Sequence, residues 1–193
     1  TDISYGRIRD GSADWQYFES STPSTSNFII DNLGDINGDD SINVLDVVIL
    51  VNLVLDGEYN SYADMNQDGS ANLIDVVQLV NIILDNPQLS DATYANLKQK
   101  GVSLYISGDG YIGAVQVRLS HGYDFSIELT DSAMISEYKT NGSITTLVVV
   151  APTSEKIFTV SDSYNIEKLI VANSSELIDV NITSEYSLSH AYP

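Results

Sequence analysis

The chain has 193 residues, which is enough for one or two domains with hydrophobic cores of their own. Its 27 acidic and 8 basic residues give a net charge of −19, which argues against nucleic acid and anionic membrane surfaces as partners. The absence of cysteine excludes disulfides and thiolate metal sites. No apolar run approaches the length of a membrane span, and the first residues do not form a signal peptide. The chain opens within an expected strand and stops at Tyr192-Pro193, so we expect a piece of a longer protein.

Residues 1–27 are polar and aromatic, and they predict one extended strand with an Asp10-Gly11 turn, followed by a Ser/Thr/Pro-rich linker. The pattern Arg7-Ile-Arg-Asp-Gly-Ser-Ala-Asp-Trp15 resembles the last strand of a lamin-tail-type β-sandwich. This resemblance implies a remnant of an upstream domain. Trp15 could stack on a sugar, but a single Trp on a strand is more often a core anchor, and we favour the anchor.

Residues 28–88 contain a twelve-residue acidic loop twice, as Asp35–Asp46 and again 29 residues later as Asp64–Asp75. Oxygen-bearing side chains stand at loop positions 1, 3, 5, 7, 9 and 12 in both copies. Calcium takes six to eight oxygen ligands from such a loop, so we expect two calcium ions. The predicted ligands, with the two serines acting through their carbonyl oxygens, are Asp35, Asn37, Asp39, Ser41, Asp46, Asp64, Asn66, Asp68, Ser70 and Asp75. Position 9 adds Asn43, acting through water, and Asn72.

Position 6 of such a loop requires a sharp turn with positive φ. Gly69 supplies it in the second loop, whereas the first loop has Asp40, a residue type that tolerates this geometry better than most. We expect both loops to bind calcium and to pair through a backbone bridge between Ile42 and Ala71 at position 8. The alternative is a solvated acidic turn, which two copies with the same offsets make improbable.

Each loop runs directly into an apolar segment, 47–55 after the first and 76–84 after the second. Their Val and Ile content allows a buried strand, but position 12 lies on the first turn of a helix in such loops, so we predict helices. Asp56-Gly57 and Asn86-Pro87 are expected to end them. No helical pattern precedes either loop.

Missing entering helices and Asp rather than Glu at position 12 give residues 28–88 a clear resemblance to the type I-like dockerin module. The resemblance implies a calcium-stabilised pair of helices that binds a cohesin. Both helices are apolar almost all round, which indicates burial on two sides. The resemblance and the apolar faces together give these expected interface residues: Val44, Leu45, Val48, Val51, Asn52, Leu55, Leu73, Ile74, Val77, Val80, Asn81 and Leu84.

Residues 89–101 predict a connecting helix with Ser90 and Gly101 at its ends. Residues 102–186 then alternate with period two, which predicts an antiparallel β-sandwich. The expected strands are 102–106, 114–119, 123–129, 134–138, 144–150, 156–160, 166–172 and 178–182. The run Asp109–Leu119 is similar to the opening of a cohesin, and residues 187–193 are interpreted as a C-terminal linker.

The predicted fold is therefore α+β and multidomain, with a two-helix calcium-binding dockerin-like module followed by a cohesin-like antiparallel β-sandwich. We favour a non-catalytic assembly unit in which the helices pack on the sandwich of the same chain, because a short tether gives the two parts a high effective concentration. The alternatives are a dockerin that binds a cohesin in trans and a carbohydrate-binding sandwich appended to a secreted polysaccharide-degrading enzyme.

The sequence offers no catalytic centre. Its two histidines, His121 and His190, have no Ser–Asp context for a triad. The densest carboxylates already belong to the loops. We expect no enzyme activity, no nucleic acid partner and no insertion into a membrane, and we expect an extracellular or cell-surface location.

Overall fold

The computed structural model describes residues 4–7, 15–18, 32–85 and 90–184. Neither helix in these ranges is long and apolar enough to cross a bilayer. The predicted Asp10-Gly11 turn, the linker before residue 28, the Asn86-Pro87 stop and the linker 187–193 lie outside the described residues.

The N-terminal segment forms a hairpin rather than the single strand that the sequence predicts. Strand β1 (Ser4–Arg7) pairs antiparallel with β2 (Trp15–Phe18). Tyr5 stands directly opposite Tyr17, and their ring centroids are 4.7 Å apart. Cross-strand aromatic pairs of this kind stabilise antiparallel pairing, which explains why the chain doubles back here.

The two predicted helices are present as α1 (Val44–Asp56) and α2 (Leu73–Ile83). Asn43 and Asn72 precede them in extended conformation, and their side chains accept hydrogen bonds from the first helical turns. These caps satisfy backbone N–H groups that a helix start leaves unpaired, so the apolar segments fold as helices although they are rich in Val and Ile. Residues 32–43 and 58–72 contain turns and loops without an entering helix.

Nine strands of the described chain build a two-layer sandwich that contains all eight predicted strands. They are β3 (Tyr94–Lys100), β4 (Ser103–Gly108), β5 (Ala114–His121), β6 (Ile127–Leu129), β7 (Ile135–Asn141), β8 (Ile144–Val150), β9 (Lys156–Val160), β10 (Tyr164–Ala172) and β11 (Asp179–Ser184). One sheet has the order β10-β5-β8-β7 and the other β11-β3-β4-β9-β6. Neighbouring strands are antiparallel except β11 and β3, which are parallel.

The predicted connecting helix over 89–101 is wrong, because residues 94–100 form β3. Ala95 and Leu97 alternate inward and are buried in the sandwich, which is strand periodicity. Gly101, expected as a helix cap, has φ of 59° and forms the tight turn between β3 and β4. The sandwich therefore begins at Tyr94 and not at residue 102.

The described residues form two hydrophobic cores that share the four-stranded sheet. The first lies between the two sheets and includes Leu147 and Val149 of β8. The second lies on the outer face of the same sheet and joins Val148 and Val150 of β8 to the helices. Because β8 is buried on both faces, it reads in the sequence as a nearly continuous apolar run. Helix α1 packs on β7 and β8, and α2 packs on β5 and β10.

Candidate calcium loops and docking surface

In the first loop, the carboxylate at position 1 organises the turn. Asp35 is buried, and its oxygens accept hydrogen bonds from the backbone N–H groups of Gly38 at 2.9 Å, Asp39 at 3.1 Å and Asp40 at 2.9 Å. These bonds wrap the backbone around one carboxylate. The loop is therefore curled by its own first residue.

The carboxylate at position 12 joins the start of the first loop to helix α1. Asp46 is fully buried, and its Oδ1 accepts N–H groups from Ile36 at 2.9 Å and Asn37 at 3.2 Å. Its Oδ2 accepts the N–H of Asn43 at 2.9 Å, which completes the helix cap. One carboxylate thus holds both ends of the loop together.

The second loop repeats most of this arrangement, although Gln67, the counterpart of Gly38, donates to the Asp64 carbonyl at 3.3 Å rather than to its carboxylate. Asp64 accepts N–H groups from Asp68 at 3.0 Å and Gly69 at 2.9 Å. Asp75 accepts N–H groups from Asn66 at 3.2 Å and Asn72 at 2.7 Å. The sequence repeat is therefore also a structural repeat.

Positions 3, 5 and 7 are linked in the same way in both copies. Asp39 accepts a hydrogen bond from the Asn37 amide at 2.9 Å and another from the Ser41 N–H at 3.0 Å. The corresponding distances around Asp68 are both 2.9 Å, from Asn66 and Ser70. At position 6, Asp40 has φ of 64° and Gly69 has φ of 90°, so both adopt the expected left-handed turn. All ten predicted ligand residues thus lie within two equivalent turns.

The loops carry uncompensated negative charge. The sequence has no Lys, Arg or His between Asp10 and Leu97, whereas residues 32–85 contain ten acidic residues. Burial raises the pKa of the Asp75 carboxyl, and the negative charge of Asp64 raises it further, against the lowering by its backbone hydrogen bonds. A cation near these carboxylates would relieve this repulsion.

The donor chemistry fits a calcium ion. Each turn offers three carboxylates, an Asn side-chain oxygen and a Ser carbonyl, which are the hard oxygen ligands that calcium prefers. Within the described residues no three acidic or His side chains converge as a group that could hold a metal, because the carboxylates turn towards backbone N–H groups. An ionised carboxylate has about four lone-pair sites, so oxygens that already accept N–H groups keep capacity for a cation.

Sequence reasoning missed several contacts around the loops. The Tyr59 hydroxyl donates to Asp64 Oδ2 at 3.2 Å, although Tyr59 lies outside the loop pattern. Asn43 and Asn72, considered as ligands, accept hydrogen bonds from helical N–H groups as caps. The capping preference of Asn before an apolar run could have indicated this role.

A different contact links the two loops from the one that the sequence predicts. The Gly34 N–H donates to the Tyr62 carbonyl at 2.9 Å, just before each loop begins. The predicted backbone bridge between Ile42 and Ala71 is absent from the part of the chain that the structure describes. Gly34 has φ of 97°, and a Cβ there would lie 3.0 Å from Leu79, so glycine allows this close crossing.

We call the helix residues of the second core the docking surface. It contains seven of the expected interface residues. Four of these lie in the second core with at most 2% of their surface exposed, and three are partly buried against it. The four are Val51, Leu73, Val77 and Val80; the three are Val48, Leu55 and Ile74. An eighth, Asn81, donates from its side chain to the Ser174 carbonyl at 2.6 Å.

The other four expected interface residues are exposed. Val44 and Leu45 form the first turn of α1 ahead of Val47, the first buried apolar residue of the helix, and they are 43% and 56% exposed. Leu84 follows the last helical residue of α2, and the Asn52 amide donates to its own helix at Val48. These four residues therefore do not belong to the contact with the sheet.

Gly113 lies where Val77 of α2 approaches the sandwich. A Cβ at this position would lie 2.5 Å from the Asn173 carbonyl oxygen and 3.0 Å from Val77 Cγ1. Asn173 is buried and donates from its side chain to the Ala92 carbonyl at 3.0 Å. Only glycine leaves room for these three segments to cross here.

His121 is engaged in structural contacts. One ring nitrogen lies 2.8 Å from the Gly122 carbonyl oxygen, and the other lies 2.8 Å from the Thr145 hydroxyl. The ring stacks on Phe125 with centroids 3.7 Å apart. His190 lies outside the described residues.

The dockerin type I domain family matches residues 33–84, which span both loops and both helices. This match confirms the resemblance read from the loops, and domains of this type bind calcium. No curated protein matches the chain significantly. Among solved structures, a non-cellulosomal cohesin from the hyperthermophilic archaeon Archaeoglobus fulgidus is similar at 12% identity and a TM-score of 0.30, covering 50% of this chain and 87% of that chain.

Proposed function

We propose that the chain is a calcium-stabilised, non-catalytic assembly unit in which the dockerin-like helices pack on the β-sandwich of the same chain. The observation that carries this proposal is the second hydrophobic core. It combines side chains of both helices with the outer face of the sheet β10-β5-β8-β7. The unit joins its two parts through burial of apolar surface.

The chemistry of the contact supports a permanent association. Val47, Val51, Val77 and Val80 are at most 1% exposed, and the sheet side is lined by aliphatic residues such as Val148. Interfaces of this apolar type resemble the inside of a domain and are typical of obligate partners. A tether of about ten residues between α2 and β3 gives an effective concentration on the order of millimolar.

Calcium has a supporting role in this proposal. We infer one ion per loop, held by Asp35, Asn37, Asp39, the Ser41 carbonyl and Asp46 in the first loop. In the second loop the holders are Asp64, Asn66, Asp68, the Ser70 carbonyl and Asp75. When bound, calcium neutralises carboxylates that no basic residue of the module faces. The chain itself positions these groups through the backbone hydrogen bonds that curl each loop.

The proposal includes an extracellular or cell-surface location, because dockerin domains occur in secreted and cell-surface proteins of cellulosomes. A role within a polysaccharide-degrading protein follows the same reasoning. Detection of the parent protein only in the cytoplasmic fraction of its native cells would contradict this part.

The test separates pairing within a chain from pairing between chains. Two full-length chains with different tags are mixed in calcium after reversible unfolding, and co-purification is measured. Pairing within each chain predicts monomers with no exchange at concentrations up to about the tens of micromolar. Mixed complexes would instead establish binding in trans.

A matched pair of variants tests the contact itself. Val148→Asp places a charge in the second core, whereas Asn165→Asp places the same charge at an exposed position of the same sheet, on β10. We expect Val148→Asp to increase the hydrodynamic radius and the binding of a hydrophobic dye, and Asn165→Asp to do neither. Unchanged dimensions for Val148→Asp would show that the helices do not need this face.

A further inference from the structure

The buried apolar residues that the two helices share do not distinguish one helix from the other. With the repeat offset of 29 residues, Val47, Leu50 and Val51 correspond to Val76, Leu79 and Val80, and each pair is identical in type. All six are buried. These shared residues therefore give no reason for α1, rather than α2, to lie over β7 and β8, and the helices differ at other positions, such as exposed Val44 and buried Leu73.

Equivalent polar residues of the repeat are nevertheless used unequally. Asn81 donates to the Ser174 carbonyl, whereas its counterpart Asn52 is exposed and bonds to its own helix. Asp56 forms an ion pair with Lys139 of β7, whereas its counterpart Asp85 forms none among the described residues. The helices also end differently, because α1 continues through Asp56 while α2 ends at Ile83 and Asp85 has φ of 55°.

The surface that receives Asp56 is basic in a chain that is otherwise strongly acidic. Lys168, Arg118, Thr146 and Lys139 are successive Cα partners in one row across β10, β5, β8 and β7. Three of the eight basic residues of the chain thus stand in one row. The last turn of α1 has no basic residue of its own. The partial negative charge at the C-terminal end of the helix and the Asp56 carboxylate are therefore both attracted to the basic side chains of this row.

The acceptor at the opposite edge is held rigidly. Ser174 follows β10, and Asp91 accepts hydrogen bonds from its N–H at 3.1 Å and from its hydroxyl at 2.6 Å. The Asn81 side-chain oxygen is buried without a partner among the described residues. A buried amide with one unsatisfied atom contributes less stability than an apolar residue there would, which favours a role in specificity.

We propose that these two contacts, Asn81 with Ser174 at one edge and Asp56 with Lys139 at the other, fix the orientation of the helix pair on the sheet. This inference rests on the proposed docking within one chain. The apolar core provides the association, and the two polar contacts select which helix faces which pair of strands.

The absence of cysteine allows a direct test. Spin-labelled cysteines introduced by Glu58→Cys, just after α1, and by Tyr138→Cys of β7 are both exposed and leave Asp56, Lys139 and Asn81 in place. In the observed orientation α1 lies on β7 and β8, and in the rotated one it lies on β5 and β10, so the two orientations give a short and a long distance between the labels. The full-length chain is loaded with calcium, and pulsed electron paramagnetic resonance measures the population at each distance. We expect the short distance to dominate.

Asn81→Ala is then added to the labelled chain, with Asn52→Ala as the matched control. Loss of one hydrogen bond of about 1 kcal/mol corresponds to a factor of about five, so Asn81→Ala should raise the ratio of the rotated to the observed population about fivefold. Asn52→Ala should leave the ratio unchanged. Asn81→Leu keeps a side chain of similar size, so it provides a second test if the alanine variant folds poorly. Lys139→Met removes the charge from the other contact and should raise the same ratio.

The outcomes separate this inference from the proposed function. An unchanged ratio in both Asn81 variants and in Lys139→Met, with the short distance still dominant, overturns the orientation role while docking stands. If neither distance is populated although far-UV circular dichroism shows folded helices, the proposed docking fails. Equal ratios for the Asn81 and Asn52 variants also refute the inference.

Discussion

Asp46 provides the sharpest test of the loops, because one isosteric substitution affects both its helix cap and its predicted role as a ligand. In Asp46→Asn, only one side-chain oxygen remains to serve three N–H donors, those of Ile36, Asn37 and Asn43. The amide nitrogen must face at least one of these donors. The Asn43 N–H is the one expected to lose its acceptor, since it alone binds Oδ2.

The magnitude follows from these contacts. A buried donor that loses its acceptor costs about 1–3 kcal/mol, and loss of a negative charge in the first helical turn costs about 0.3–1 kcal/mol. We therefore expect these two effects to lower the free energy of unfolding by about 1.3–4 kcal/mol, with a further loss in the calcium-loaded chain from the ion that no longer binds. Calorimetric titration should show one calcium ion bound instead of two.

Asp40→Asn is the matched control, because it removes the same charge from an exposed position of the same loop. Asn tolerates the positive φ of this position, so the change should be below about 0.5 kcal/mol with two ions still bound. Stability is measured by urea unfolding followed through the far-UV helical signal. Equal losses for the two variants, or two ions bound to Asp46→Asn, would refute the reasoning.

Three further substitutions test other features. Asp40→Gly relieves the strain of the left-handed backbone at position 6 and matches Gly69 of the second loop. We therefore expect the first loop to bind calcium more tightly in a competition titration, and weaker binding would contradict this. Burial raises the pKa of Tyr164 to about 12, so its neutral hydroxyl stabilises the fold fully below pH 10, and this contribution is lost as the pH rises to about 12. Tyr164→Phe removes a buried hydroxyl without a partner among the described residues and should flatten alkaline unfolding between these pH values; an unchanged alkaline profile would contradict it. Gly113→Ala should cost about 1–3 kcal/mol in urea unfolding because its Cβ meets the Asn173 carbonyl, whereas Gly122→Ala meets open space and should cost little; equal costs would show that the crossing is not tight.

The loops and helices were predictable because their information is local. Twelve-residue spacing, a capping Asn at position 9 and an apolar run from position 13 onward all lie within a few turns of one another. The eight predicted strands were found for the same reason, since turn residues separate alternating segments. Only their ends shifted, as in β6, where residues 123–126 are not part of the strand.

The misassigned strand β3 shows where local information ends. Tyr94–Lys100 contains two Lys and a Gln, residues that favour helix, and its alternation rests on Ala95 and Leu97 alone. Its strand conformation comes from β4 and from β11, which lies more than eighty residues further along the chain. Tertiary pairing therefore overrides the local preference.

The docking surface could be predicted only in part. Both helices are apolar on nearly all sides, which indicated that each is buried on two faces. The burial of Val77 and Val80 agrees with this expectation. The exposure of Val44 and Leu45 depends on which turn of α1 reaches the sheet. The partners Lys139 and Ser174 lie on distant segments that no spacing in the helices indicates.

The parallel pairing of β11 with β3 has a consequence for the order of events during synthesis. The last strand of the sandwich lies beside its first, so the sandwich is complete only when Ser184 has been made. From Ile83, the end of α2, to Ser184 is 184 − 83 = 101 residues. At about 5–20 residues per second, translation needs roughly 5–20 seconds for this distance. During that interval the two apolar helices have no complete sandwich to pack on, although the four-stranded sheet that they contact ends earlier, at Ala172 of β10.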